Sequence, residues 1–319
     1  MKRFVIRFCI WIGIALVVAI PIDAAISSGL RKTDIRKYSV WNDIYQGNLH
    51  PDLLVIGSSR AWCGYNTYIM DSVLNCDSYN LGLDGHCIDF QIIRYDTYCR
   101  YNQKPKVVVL NTEFMSTLGV SAESPYEREQ FFPYINDKEL ISRVSEAKKI
   151  TWLDRHIPLL RYFGYRDEFE TGIKACFGKT DFFDGGMHKG YRGNEYGWSR
   201  GTILSKDTLV SASIDYETVN MLDDFAKRLV DDGIKVVFVK SPVYHPLMEK
   251  FTNIEESDSI FAFISKRYNI PILDYYESWI NRDSTNFYNP SHLNKKGSEL
   301  FTFELCKDLD SLGLLDGYN

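Results

Sequence analysis

The stretch Leu53-Leu54-Val55-Ile56-Gly57-Ser58-Ser59-Arg60-Ala61 decides the fold. Four consecutive aliphatic residues read as a strand buried on both faces, as in a parallel sheet covered by helices. The strand runs straight into Gly-Ser-Ser, so a hydroxyl side chain sits at the C-terminal end of a central strand. Open α/β sheets bind their ligands at that end. Gly57 lets the backbone turn sharply, and Ser59 can then direct its oxygen into a crevice. A blander reading of the same residues is a turn followed by a helix cap.

Outward from this strand the chain alternates strand and helix. Asp77–Leu81 reads as a short strand ending at Gly82, and Cys87–Tyr101 as a helix. Val107–Leu110 is a buried strand followed by Asn111-Thr112-Glu113. Residues 215–230 place Tyr216, Val219, Leu222, Ala226, Leu229 and Val230 near helical spacing, and Gly233 stops that helix. Lys235–Val239 is the next strand, ending at Ser241-Pro242, and Pro271–Asp274 is the last and shortest. Asn294 can cap a final helix with Leu300, Phe301, Leu305 and Leu309 along one face. Five strands with helical crossovers imply a doubly wound parallel sheet.

Residues 115–212 do not fit the minimal alternation and form a large insertion between the third and fourth strands. Leu140–Leu160 looks helical as far as Pro158. Beyond it, Asp181 to Gly201 interleaves glycines with aromatics, Tyr191, Tyr196 and Trp198 among them. A loop this long is either functional or disordered, and its aromatics argue for order. The expectation is a lid or substrate platform over the crevice.

At the N-terminus Lys2, Arg3 and Arg7 precede Phe8–Ile22, which carries no charge, and Asp23 ends the run. With Phe4, Val5 and Ile6 the segment approaches the ~20 residues that span a bilayer. A signal anchor over residues 1–28 is expected, followed by one α/β domain over 29–319. A cleaved signal peptide has the same layout. Basic residues also follow the segment (Arg31, Lys32, Arg36, Lys37), so charge orients it only weakly.

The chain has 319 residues, enough for one large core, and a formal net charge of −5, which leaves no electrostatic footprint for nucleic acid. Its seven cysteines include no C-x-x-C pair, and no Cys/His spacing suggests zinc. Six lie beyond the apolar segment and read either as disulfide partners or as small buried hydrophobes.

Near the other end stands Phe287-Tyr288-Asn289-Pro290-Ser291-His292-Leu293-Asn294-Lys295-Lys296-Gly297. An early Gly-x-Ser strand end paired with a late Pro-Ser-His-Leu-Asn loop resembles the SGNH/GDSL hydrolase superfamily. The resemblance implies a flavodoxin-like three-layer sandwich with strand order 2-1-3-4-5, which puts Ser59 at the topological switch point. It further implies Ser59 as nucleophile and His292 as its base, with no cofactor. A serine hydroxyl is a weak nucleophile until such a base takes its proton.

The same resemblance supplies an oxyanion hole from the nucleophile's amide, a glycine after the second strand and an asparagine after the third. Gly82 matches the glycine. Glu113 stands at the asparagine's place, so either Asn111 donates or the hole has backbone donors only. The family's histidine-orienting aspartate is here Asn289, with Asp283 and Asp274 as alternatives. Arg60, Glu113, His245, Tyr191 and Trp198 are the expected substrate contacts. His86 and His188 compete less well for a role.

Three functions follow. The first is an extracytoplasmic, membrane-anchored serine esterase or O-acyltransferase whose partner is an acylated cell-surface glycan. The second is an inactive binding or assembly protein that keeps the fold, motivated by Asn289 and Glu113. The third is an unrelated flavodoxin-like phosphate binder, which lacks a glycine-rich fingerprint and leaves His292 unexplained.

Overall fold

A computed structural model of the chain describes residues 1–121, 127–179, 187–205, 207 and 209–315. In chain order the helices are α1 (Lys2–Leu30), α2 (Arg36–Gln46), α3 (Ser59–Gly64), α4 (Thr67–Leu74), α5 (Ile88–Tyr101), α6 (Lys138–Val144), α7 (Trp152–His156), α8 (Arg166–Cys176), α9 (Gly201–Ser205), α10 (Tyr216–Asp231), α11 (His245–Met248), α12 (Ile254–Tyr268) and α13 (Lys295–Ser311). The strands are β1 (Leu53–Ile56), β2 (Ser78–Asn80), β3 (Val107–Asn111), β4 (Lys235–Lys240) and β5 (Ile272–Asp274), with a hairpin of β6 (Phe287–Asn289) and β7 (His292–Leu293). The chain forms two compact units, Met1–Tyr45 with Ala122–Gly185, and Gln46–Ser121 with Gly186–Asn319.

The second unit holds the sheet. Its five strands are all parallel, in the order β2-β1-β3-β4-β5. This is the expected α/β fold. Alternate residues of each strand face opposite sides. Leu53 and Val55, Val107 and Val109, and Val237 and Val239 pack with Met70 of α4 and with Phe301, Leu305 and Leu309 of α13. Each such aliphatic contributes about 1.5–3 kcal/mol on burial. On the opposite face α10 packs against β4, α5 and α12. The chain leaves β1 toward β2 on one side and returns to β3 on the other. The C-terminal end of β1 therefore opens at the switch point.

The first unit gathers α1, α2 and the first half of the segment between β3 and β4. Packing between α1 and α8 is close enough that a Cβ on Gly29 would lie 1.8 Å from the Gly172 carbonyl oxygen. The helix expected from Leu140 as far as Pro158 is instead split into α6 and α7. Lys149 takes a left-handed φ of 53° between them, and Thr151 with Asp154 forms a capping box that starts α7 anew. All seven cysteines are free. Cys63 and Cys306 are buried, and burial pushes both thiols up to about 12.

α1 is long and apolar enough to cross a membrane, and its most apolar window is wholly uncovered by protein. The protein packs only its last third, where Ile26, Gly29 and Leu30 are buried.

Candidate active site

Ser58 is the N-cap of α3, with its hydroxyl oxygen accepting the Arg60 amide at 3.3 Å. Ser59 opens the helix beside it. The capping and the reactive readings of Gly-Ser-Ser thus fall on two neighbouring serines. Gly57 is required at the turn, since a Cβ there would lie 2.6 Å from Ala61 Cβ and 2.8 Å from Asn111 Cβ.

The histidine comes from the β6–β7 hairpin, in which Asn289 pairs with His292 across Pro290-Ser291. Asn294 caps α13 by accepting the Gly297 amide at 3.0 Å, and this ties the hairpin to the start of that helix. His292 Nε2 stands 2.7 Å from Ser59 Oγ, across 233 residues of sequence.

On the other side of the ring, Nδ1 lies 2.9 Å from Asn289 Oδ1 and 2.8 Å from Ser291 Oγ. Asn289 Oδ1 also accepts the Ser291 amide at 3.0 Å and the Ser291 hydroxyl at 3.1 Å. A carbonyl oxygen only accepts, so the proton belongs on Nδ1 and the lone pair of Nε2 faces Ser59. That is the tautomer of a general base. Burial, with a smaller contribution from the Arg60 charge, holds the imidazole down to about 4. His292 is therefore neutral at pH 7.

The alternative orienters are committed elsewhere. Asp283 accepts the Thr285 amide at 2.9 Å and its hydroxyl at 2.8 Å. Asp274 pairs with Lys240 at 2.9 Å and accepts the Tyr276 amide at 2.9 Å. Asn289 is the residue in place.

Behind the serines lies a buried charge pair. Arg60 and Glu113 are 4% and 1% exposed, with Nη1 3.0 Å from Oε2. The second nitrogen, Nη2, reaches the Ser241 carbonyl at 2.6 Å, the Ser241 hydroxyl at 2.9 Å and the Pro242 carbonyl at 3.1 Å. Ser58 donates its hydroxyl to the other Glu113 oxygen. Arg60 and Glu113 thus tie together the C-terminal ends of β1, β3 and β4 beneath the crevice. Both oxygens of the Glu113 carboxylate are hydrogen-bonded, one of them by the Arg60 guanidinium.

The expected oxyanion donors carry internal bonds. The Gly82 amide donates to Asn80 Oδ1 at 2.8 Å, and a Cβ on Gly82 would lie 2.4 Å from the Trp62 amide nitrogen. Asn80 in turn donates to the Ala61 and Tyr65 carbonyls at 2.9 and 3.1 Å, fastening α3 over this glycine. Asn111 is fully buried, taking the Tyr65 hydroxyl at 2.6 Å and giving its amide to Glu113 at 3.3 Å. The Ser59 amide, at the first position of α3, belongs to the donors a helix leaves unused.

Residues 187–201 run along the hairpin and α3. The Lys295 amide donates to the Asn194 carbonyl at 2.8 Å, the Ser199 amide to the Tyr288 carbonyl at 2.8 Å, and the Asn80 amide to the Lys189 carbonyl at 2.8 Å. Tyr191 is interior, with its hydroxyl 2.7 Å from Ser298 Oγ. Trp198 is half-buried and packs edge-on against Tyr244 at 4.7 Å, while Tyr196 is exposed. The remainder of the expected Asp181–Gly201 platform, residues 181–186, lies outside the described residues. His245 begins α11, partly exposed, with Nδ1 3.6 Å from Glu249. His188 stacks on Tyr68 and His86 packs on Phe90. Among the described residues no group of three His, Cys, Asp or Glu side chains converges as a metal site.

Sequence assigns no role to Asn80, Ser241 or Ser291, and to Ser58 only that of a cap. Only Ser291 carried a usable signal, its adjacency to His292.

No protein-family model matches the chain, and no curated protein does. Among solved structures it is similar to a proposed acylhydrolase of Bacteroides fragilis NCTC 9343, at 11% identity and a TM-score of 0.38, over 82% of this chain and 87% of that one.

Proposed function

We propose that this protein is a membrane-anchored, extracytoplasmic serine esterase or O-acyltransferase acting on acylated cell-surface glycan. The observation that carries the reading is the 2.7 Å contact between Ser59 Oγ and a His292 Nε2 whose lone pair faces it. The resemblance of the two motifs to SGNH/GDSL hydrolases supports it, as does the apolar α1 as an anchor.

In this mechanism Ser59 Oγ attacks the ester carbonyl while His292 Nε2 takes its proton. The oxyanion is met by the Ser59 amide, with Gly82 and Asn111 as further donors if they release their internal partners. Collapse expels the alcohol, which takes the proton back from His292 and leaves an acyl-serine. Water or a sugar hydroxyl then attacks that ester, again with His292 as base. Residues 187–201, laid against the hairpin, are the platform for an acceptor, with Trp198 and Tyr196 as its aromatic surfaces.

A fluorophosphonate probe tests this directly. Labelling of Ser59, lost in Ser59→Ala and in His292→Ala, is the expected result; labelling that persists in Ser59→Ala overturns it.

A second reading, an inactive binding or assembly protein of envelope polysaccharide, is favoured by specific bonds. Gly82 and Asn111 spend their donors internally, and the ring of His292 is oriented by an amide and a hydroxyl. Absence of labelling in the folded wild type selects it.

A further inference from the structure

Within the first unit, α1 passes from uncovered to packed over a short interval. Residues 1–18 are exposed throughout, and burial begins around Ile22 and Asp23, where the uncharged run also ends. The helical stretch from Lys2 to Ile22 is about 30 Å long at ~1.5 Å per residue, which matches a hydrocarbon core of ~30 Å. If Lys2 and Arg3 lie at one face of a bilayer, Asp23 lies at the headgroup level of the other.

The segment 152–163 is fastened at that level. The Leu159 amide donates to Asp23 Oδ1 at 2.8 Å, and Arg161 forms an ion pair with Asp23 Oδ2. Arg161 also donates to Ser27 Oγ at 3.0 Å, and the Tyr162 hydroxyl lies 2.9 Å from the same oxygen. Around these anchors, large apolar side chains point to solvent: Trp152 at 64% exposure, Phe163 at 85%, and Leu153, Ile157 and Leu160 between them. Arg155 and His156 are exposed in the same stretch.

Five large apolar residues within twelve positions form a patch that soluble surfaces seldom carry. Its composition, Trp and Phe with aliphatics and a cation, is that of a segment lying in a membrane interface. We infer that residues 152–163 form a collar around the exit of α1 that seats in the headgroup–acyl boundary of the bilayer α1 crosses. The occupant is lipid, because the patch continues the lipid-facing surface of α1 and is held to it at the residue where that surface ends. The collar gives the first unit a second membrane contact: α1 fixes its distance from the bilayer, and the collar fixes its tilt.

The test uses the full chain in phosphatidylcholine vesicles carrying bromine either near the headgroup or near the chain ends. Shallow bromine should quench a share of tryptophan emission that disappears in Trp152→Phe and returns when Phe163→Trp is added to that variant. Deep bromine should quench Trp11, reporting on α1 separately. Equal shallow quenching in wild type and Trp152→Phe overturns the collar. So does a dimer in mild detergent that shields Trp152 from aqueous iodide while bromolipid leaves it untouched, since a second copy would then be the occupant. Loss of Trp11 quenching overturns it by removing the spanning helix on which it rests.

Discussion

Asn289 Oδ1 stands 2.9 Å from Nδ1 of His292, so the ring is oriented by a neutral amide. The amide fixes the tautomer, as an aspartate would, but it offers no charge to the imidazolium formed when Ser59 gives up its proton. Ser291 Oγ, 2.8 Å from the same nitrogen, adds a second neutral partner.

Asn289→Asp should raise turnover on a small activated ester by at least about tenfold, well inside the ~10⁴ that the reverse change costs a serine protease. Esterase kinetics on purified variants check it. A loss of activity would show that the amide, together with Ser291, is already the better partner.

The pH profile should be flat from neutrality down to an acid limb near 4, because His292 is held down to about 4 and acts as a base only when neutral. In Asn289→Asp the new carboxylate favours the imidazolium, so the limb should move to higher pH. The depressed value also bears on stability. Between about 4 and the ordinary histidine value of ~6.5 the unfolded chain binds the proton more readily, so stability should fall as pH drops through that window. His292→Ala should lose this component in denaturant titrations.

Glu113→Ala leaves Arg60 buried and unpaired, and should cost about 3–5 kcal/mol. Replacing both by apolar residues of similar volume should cost much less. Urea midpoints of the single and double variants decide between these outcomes.

Gly172→Ala should disrupt the packing of α1 on α8, since its Cβ would lie 2.7 Å from the Ile26 carbonyl oxygen and from Ile26 Cγ2. Overpacking of this kind costs about 1–3 kcal/mol or more. The expected sign is faster proteolysis within the first unit, with fluorophosphonate labelling of Ser59 unchanged.

Acyl transfer should exceed hydrolysis when an oligosaccharide acceptor is supplied, because an oriented hydroxyl outcompetes water only where it is held in place. Trp198→Ala should lower the transfer product more than the hydrolysis product. Product ratios unaffected by acceptor would make the protein a simple esterase.

The sheet was legible in the chain because its central strands are buried on both faces. Runs such as Leu53–Ile56 and Val107–Leu110 are unbroken aliphatics, a pattern that few other elements share. Ser59 could be singled out because it follows a strand signal, and His292 because it stands in a Pro-Ser-His-Leu-Asn loop just ahead of a helix. Local sequence also carried the Asn294 cap and the apolar α1, since both depend on neighbours a few residues apart.

What tertiary structure alone decided are relations across long separations. The pairing of Arg60 with Glu113, of Tyr65 with Asn111, and of Asp23 with Arg161 depends on which strand ends and helices the fold brings together. A hydrogen bond has reach of about 3 Å and no sequence signature. The split between α6 and α7 turned on one left-handed residue, Lys149, that helical periodicity does not register. Likewise the segment between β3 and β4 reads as one insertion, yet its residues join different units according to the surfaces each half can bury. Periodicity reports that a face is apolar; only packing selects its partner.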